Sequence, residues 1–207
     1  MSRSDARRTH WDTVHSDRAP EQLSWYQASP EVSLRLIREV AAGDDALIDV
    51  GGGSSTLVDA LLAAGHTNLS VLDISPRALD LARAHLGSAG SAVTWIAADA
   101  TSVELPSSYR IWHDRAVFHF LIDHDDREAY LDRLRHRLLR GGWLILASFG
   151  PDGPERCSGL PVQRYDAPTL ESLLGEGFRL EAVVPEVHTT PAGRSQSFLY
   201  CRFRRAS

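Results

Sequence analysis

The stretch Leu47-Ile48-Asp49-Val50-Gly51-Gly52-Gly53-Ser54-Ser55 constrains the fold more than any other. Ala46, Leu47, Ile48 and Val50 suit a central parallel strand, and Gly51 and Gly53 supply the backbone freedom of a sharp strand-to-helix turn. Ser54 and Ser55 are placed to cap the helix that follows. Free N–H groups at such a helix start, beside residues without a Cβ, let an anionic or polar ligand approach the backbone. The turn therefore reads as a ligand cradle.

The rest of the chain repeats the strand-then-helix step. Leu69-Ser70-Val71-Leu72 is a second strand ending in Asp73-Ile74-Ser75-Pro76, and Ala78 to Leu86 has helical periodicity with Ser75 as its cap. Asp73 lies roughly 20 residues beyond the glycine turn, where nucleoside-binding α/β folds place a carboxylate that accepts ribose hydroxyls. Ala92 to Ala97 is a third strand running into Ala98-Asp99-Ala100, and Tyr109 to His113 a fourth running into Asp114-Arg115. Carboxylates at successive strand tips converge on the sheet edge where open parallel sheets bind ligands. An amphipathic helix over about 127–140 precedes Gly141-Gly142 and a fifth strand, Trp143 to Phe149. The loop from Gly150 through Val162 is too rich in glycine and proline for a regular element, and its start at the end of strand five hangs it over the site. After a helix over 167–176, two alternating segments, 178–190 and 195–204, form a hairpin that places an antiparallel strand at the sheet edge.

Before the first strand, Ser29-Pro30 announces a helix that continues to Gly43. Residues 1–28 form a polar N-terminal arm with a weak helix signal, and residues 29–207 one domain. Trp25 and Tyr26 either staple this arm to the domain or form a lid over the ligand. At 207 residues, 43% of them hydrophobic, the chain has the size of one domain with a real core. A net charge of -5 and a pI of about 6.0 give no global basic field for nucleic acid or an anionic membrane. The charged start and the lack of a long apolar run predict a soluble cytoplasmic protein, in which Cys157 and Cys201 stay as thiols. No recognised ligand spacing links His113, Asp114, His119, Asp123 and His124, so no metal is expected.

Taken in order, these motifs resemble class I S-adenosylmethionine-dependent methyltransferases from about Trp25 to the end. Asp49 to Ser55 is similar to the family's first motif, with Ser55 where a third glycine is usual. The arm and the Ser148-Phe149-Gly150-Pro151 segment look like a small bacterial subgroup with some similarity to protein-lysine methyltransferases. The resemblance implies a Rossmann-like α/β fold: a mostly parallel seven-stranded sheet with an antiparallel C-terminal strand and helices on both faces. It implies S-adenosyl-L-methionine as cofactor. Gly51 to Gly53 would approach its methionine half, with Asp49 holding the amino group. Asp73 would take the ribose, Ile74 the adenine face, Asp99 and Ala100 the adenine amino group, while Asp114 would lie beside the methionine and Trp25 over the ligand. A nicotinamide dinucleotide is the rival, but its fingerprint fails where Thr56 replaces the third glycine.

Methyl transfer from a sulfonium is an in-line displacement, so the protein must chiefly align the partners and exclude water. A base is needed only for a protonated nucleophile, and His119, just beyond the fourth strand tip, is the candidate; its bland alternative is a packed structural histidine between Phe118 and Phe120. The acceptor is read as a small molecule, with a protein lysine as alternative, or the chain is a cofactor-binding module without chemistry. Monomer and dimer both stay open.

Overall fold

A computed structural model describes residues 2–207. Helix α1 (Arg3–Asp17) leads through a 3-10 turn to α2 (Glu31–Arg38), β1 (Leu47–Val50) and α3 (Leu57–Ala63). Next come β2 (Leu69–Asp73), α4 (Pro76–Leu86), β3 (Val93–Ala97), β4 (Tyr109–Arg115), α5 (His124–Arg137) and β5 (Leu138–Phe149). A two-residue ladder, β6 (Arg156–Cys157) with β7 (Leu160–Pro161), then α6 (Ala167–Leu174), β8 (Phe178–Thr189) and β9 (Ser195–Arg205), complete the chain.

The seven long strands form one sheet in the order β3-β2-β1-β4-β5-β9-β8, with β1 to β5 mutually parallel. Because strand side chains alternate between faces, two cores form. Ile48, Val50, Leu72, Trp112 and Leu144 meet Tyr130, Leu131 and Leu134 of α5 and Leu170 of α6 on one face. Leu47, Leu69, Val71, Ile111 and Ile145 meet α2 and α3 on the other. No helix among the described residues is long and apolar enough to cross a membrane.

Four local expectations change. The arm is not weakly structured: α1 is a 15-residue helix started by a capping box in which Ser2 and Asp5 satisfy each other's groups. Helix α3 begins at Leu57, with Ser55 Oγ accepting from its N–H, so no helix opens directly from the glycines and the dipole argument for that turn lapses. Helix α5 ends at Arg137, and β5 starts at once with a register break against β4 that absorbs the glycine pair. The antiparallel strand β9 lies inside the sheet between β5 and β8, and β8 is the edge.

Candidate active site

The carboxyl tips of β1, β2, β3 and β4 open onto one cavity with an empty volume of about 1050 Å³, part of it open to solvent. Gly51 turns the chain at φ 73°, and a Cβ there would stand 2.1 Å from Val117 Cγ2, so only glycine fits the floor. Its N–H donates to Leu72 O at 2.6 Å, tying the turn to β2. Gly53 is not on the cavity wall; its N–H donates to Asp73 Oδ2 at 3.0 Å while Ser75 N–H donates to Oδ1 at 2.8 Å. Burial pushes the Asp73 carboxyl up to about 6, against the pull of these two bonds, and the charges of Asp49 and Asp12 add to the rise.

Asp99 is also buried, yet its carboxyl sits below the usual range. Burial works to raise it, and is outweighed by the N–H and hydroxyl of Thr101 at 2.9 and 2.8 Å and by the Arg7 guanidinium at 3.2 Å. Ile74 and Ala100 line the wall between these two acids.

Asp49 opens instead onto an adjoining cavity of about 460 Å³ that shares Trp25, Val50, Gly51, Ser54 and Arg115 with the first. Its Oδ1 accepts from His113 at 2.7 Å, and its Oδ2, buried against Gly52, has no partner. Arg115 lines both cavities. Its Nε donates to Tyr200 OH at 2.8 Å and Nη1 to Trp25 O at 3.1 Å, while Nη2 makes no hydrogen bond and lies 3.7 Å from Glu186. Ala116 then takes φ 72°, a left-handed turn costing about 1 kcal/mol for a residue with a Cβ. Strain of this kind collects where a site needs a particular backbone direction.

Two expected site residues lie elsewhere. Asp114 neighbours His113 in sequence and so points to the opposite sheet face, where it is fully buried. Its oxygens accept from Val117 N at 2.9 Å, Phe118 N at 3.2 Å and Tyr130 OH at 2.6 Å, which leaves nothing for a cofactor. His119 is fully buried, packs on Phe120 and Phe149, and is not on the cavity wall. Burial, with Arg115 nearby, lowers its pKa to about 3. Its enclosure places it away from the cavity and among packed aromatic side chains.

The amino-acid sequence in residues 47–142 matches the family model for a methyltransferase domain. Over this stretch the chain is similar to a methyltransferase domain. No curated relative matches the sequence. Solved structures share the fold of this chain. A SAM-dependent methyltransferase from Anabaena variabilis is 17% identical, with a TM-score of 0.77 over 99% of this chain and 96% of its own. The 1,6-didemethyltoxoflavin-N1-methyltransferase of Burkholderia thailandensis, solved with 1,6-didemethyltoxoflavin and S-adenosylhomocysteine, is 20% identical, with a TM-score of 0.70 over 99% and 87%. The N-methyltransferase NodS of Bradyrhizobium japonicum is 19% identical, with a TM-score of 0.61 over 87% and 90%.

The far half of the main cavity is walled by residues that the sequence does not bring together. Helix α1 sends Arg7, Trp11 and His15 into it, three positions at i, i+4 spacing on one helix face. Trp11 meets Trp25 and Phe120 edge to face at 5.8 and 5.0 Å. Phe149, Phe198, Leu160, Cys157 and Gln196 close the other side. The i, i+4 spacing was the available signal for α1; the remainder come from distant segments and carry none. Trp25 both lines the cavity and is fixed by Arg115, and Ser24 O accepts from His188 Nε2 at 2.8 Å. The tie to the domain is thus made by the backbone carbonyls of Ser24 and Trp25, while Trp25 also lines the cavity.

Proposed function

We propose that this chain transfers the methyl group of S-adenosyl-L-methionine to a small, largely apolar acceptor. The observation that carries the reading is one cavity whose near wall holds Gly51, Asp73, Ile74, Asp99 and Ala100 and whose far wall is aromatic. When bound, the cofactor supplies a methyl group already activated on a sulfonium. Asp73 would accept the ribose hydroxyls, Asp99 with the Ala100 backbone would hold the adenine edge, and Ile74 would pack on its face. The amino acid tail fits the adjoining cavity. Asp49 Oδ2 is a buried acceptor lacking a donor, and Arg115 Nη2 a buried donor with no hydrogen bond beyond its 3.7 Å ion pair with Glu186, which suits an ammonium and a carboxylate. Gly53 supports Asp73 from behind. Asp114 and His119 are given no part in this reading.

Residues 1–28 would act as a lid through Trp11 and Trp25, excluding water from the transfer. Acceptor alignment falls to Trp11, Trp25, Phe120, Phe149 and Phe198. His15, whose imidazole is kept neutral by burial with a pKa of about 4, offers a hydrogen-bond acceptor on the same wall. A protein lysine is disfavoured because the acceptor half carries no carboxylate free to guide an ammonium; Glu186 is already engaged by Arg115, Gln27 and Tyr200. The small-molecule ligand of the Burkholderia enzyme is in keeping with this choice. The two buried free cysteines suit a reducing cytoplasm.

Calorimetric titration with S-adenosylhomocysteine tests the cofactor, and a labelled-methyl survey over metabolite and protein fractions tests the acceptor. We expect binding, and label in the small-molecule fraction. Absence of binding defeats the proposal, and label confined to protein defeats its acceptor half.

A further inference from the structure

A chain of three buried polar residues lies along the wall of the smaller cavity. His113 and Asp49 are register partners on β4 and β1, so both point to the α2 face of the sheet, where Ser33 meets them. His113 Nδ1 stands 2.7 Å from Asp49 Oδ1, and His113 Nε2 stands 2.9 Å from Ser33 Oγ. A carboxylate can only accept, so Nδ1 carries a proton, and the Ser33 hydroxyl, able to donate or accept, partners Nε2. None of the three residues is more than 2% exposed.

A buried ionised carboxylate needs partners on both oxygens. His113 satisfies one, which leaves Oδ2 as the single unmet acceptor, held against Gly52 on the cavity wall. Without the imidazole, the Asp49 side chain could rotate to share its oxygens among the backbone groups of the glycine turn. With it, one rotamer is fixed and one oxygen is reserved.

We propose that His113, oriented by Ser33, is a positioning residue that presents Asp49 Oδ2 to the ammonium of the cofactor's amino acid tail, an inference that rests on the S-adenosylmethionine reading above. It predicts a role confined to the tail, separate from the adenosine end held by Asp73 and Asp99.

The test compares two ligands: S-adenosylhomocysteine and 5′-methylthioadenosine, which keeps the adenosine and lacks the amino acid. His113→Phe should weaken the first about tenfold, the effect of losing a charge-assisted hydrogen bond, and leave the second unchanged. His113→Asn, whose amide can donate from near the Nδ1 position, should recover most of the loss. Equal weakening of both ligands marks a merely structural histidine and overturns the inference, as does unaltered S-adenosylhomocysteine binding. Should His113→Phe fail to fold, Ser33→Ala carries the same comparison, with a smaller loss expected for S-adenosylhomocysteine alone; loss on both ligands or on neither overturns it. Wild-type protein that binds neither ligand overturns the functional reading itself, whereas wild-type binding with unaltered variants overturns only the role of His113.

Discussion

Asp73 gives the proposed adenosine site a pH signature. Its carboxyl, pushed up to about 6 by burial, is largely protonated in the free protein at pH 5 and ionised at pH 7. Two ribose hydroxyls donating to it favour the ionised form, so ligand binding must expel a proton at acid pH. Below the pKa that linkage costs about tenfold in affinity per pH unit, so the dissociation constant for S-adenosylhomocysteine should fall about tenfold between pH 5 and 7 and then level. Asp99, held below the usual carboxylate range, stays ionised throughout and adds no slope.

The free protein should respond in the opposite sense. A carboxyl whose pKa is raised on folding contributes stability that is present below its unfolded value near 3.8 and lost as pH rises through about 6. Asp73 and Asp114 share this direction, each worth roughly 3 kcal/mol over that window. Ligand should therefore raise the melting temperature more at pH 7 than at pH 5, although the free protein melts lower at pH 7. Isothermal titration across pH 5 to 7, with Asp73→Asn beside the wild type, checks the reasoning. The variant should bind about 10- to 100-fold more weakly at pH 7 and show no slope. A flat wild-type profile, or a slope that survives in the variant, refutes the assignment of Asp73 to the ribose.

Gly53→Ala would set a Cβ 2.5 Å from Ala78 Cβ and 2.7 Å from Asp73 Oδ2. Overpacking of that kind costs about 1–3 kcal/mol, and calorimetry should show S-adenosylhomocysteine affinity falling with stability because Asp73 is displaced. Asp114→Asn should lose about 1–3 kcal/mol in denaturant titration at pH 7, since an amide cannot accept from Val117, Phe118 and Tyr130 together, while ligand affinity stays near wild type. Arg7→Ala releases α1 from Asp99 and Asp126; such partly exposed pairs add about 1 kcal/mol or less to stability, so the melting temperature should barely move. Stopped-flow tryptophan fluorescence should instead show faster ligand release in the variant, and wild-type release approaching it as salt rises; equal rates at low salt would remove the lid role.

The strands and the convergence of Gly51, Asp73 and Asp99 on one cavity were legible because their signals are local. A buried strand, a glycine turn and an acid one strand later lie within one βαβ unit, so Gly51, Asp73 and Asp99 meet by topology alone. Asp114 and His119 were misplaced for want of register. Adjacent residues on a strand face opposite ways, and only the pairing of Asp49 with His113 decides that His113, and not Asp114, faces the site. The cofactor role of Asp114 was borrowed from resemblance, which carries a position without its rotation.

Helix α1 and the acceptor wall were illegible for a different reason. The arm has too few apolar residues to announce a packed helix, and what holds it is long-range and polar: Arg7 to Asp99 and Asp126, Arg3 to Asp123, and Ser75 Oγ donating to Asp12 at 2.6 Å. Each such exposed or half-exposed contact is weak alone, so α1 should be among the first elements to detach. That weakness suits its place. The cavity behind α1 is lined from chain segments as distant as Trp11 and Phe198, and a wall that yields would widen its opening to solvent. If Asp99 holds the adenine as proposed, ion pairs from Arg7 to that same acid would couple ligand occupancy to the position of α1, bound adenine competing for Asp99 while Asp126 keeps Arg7 in place.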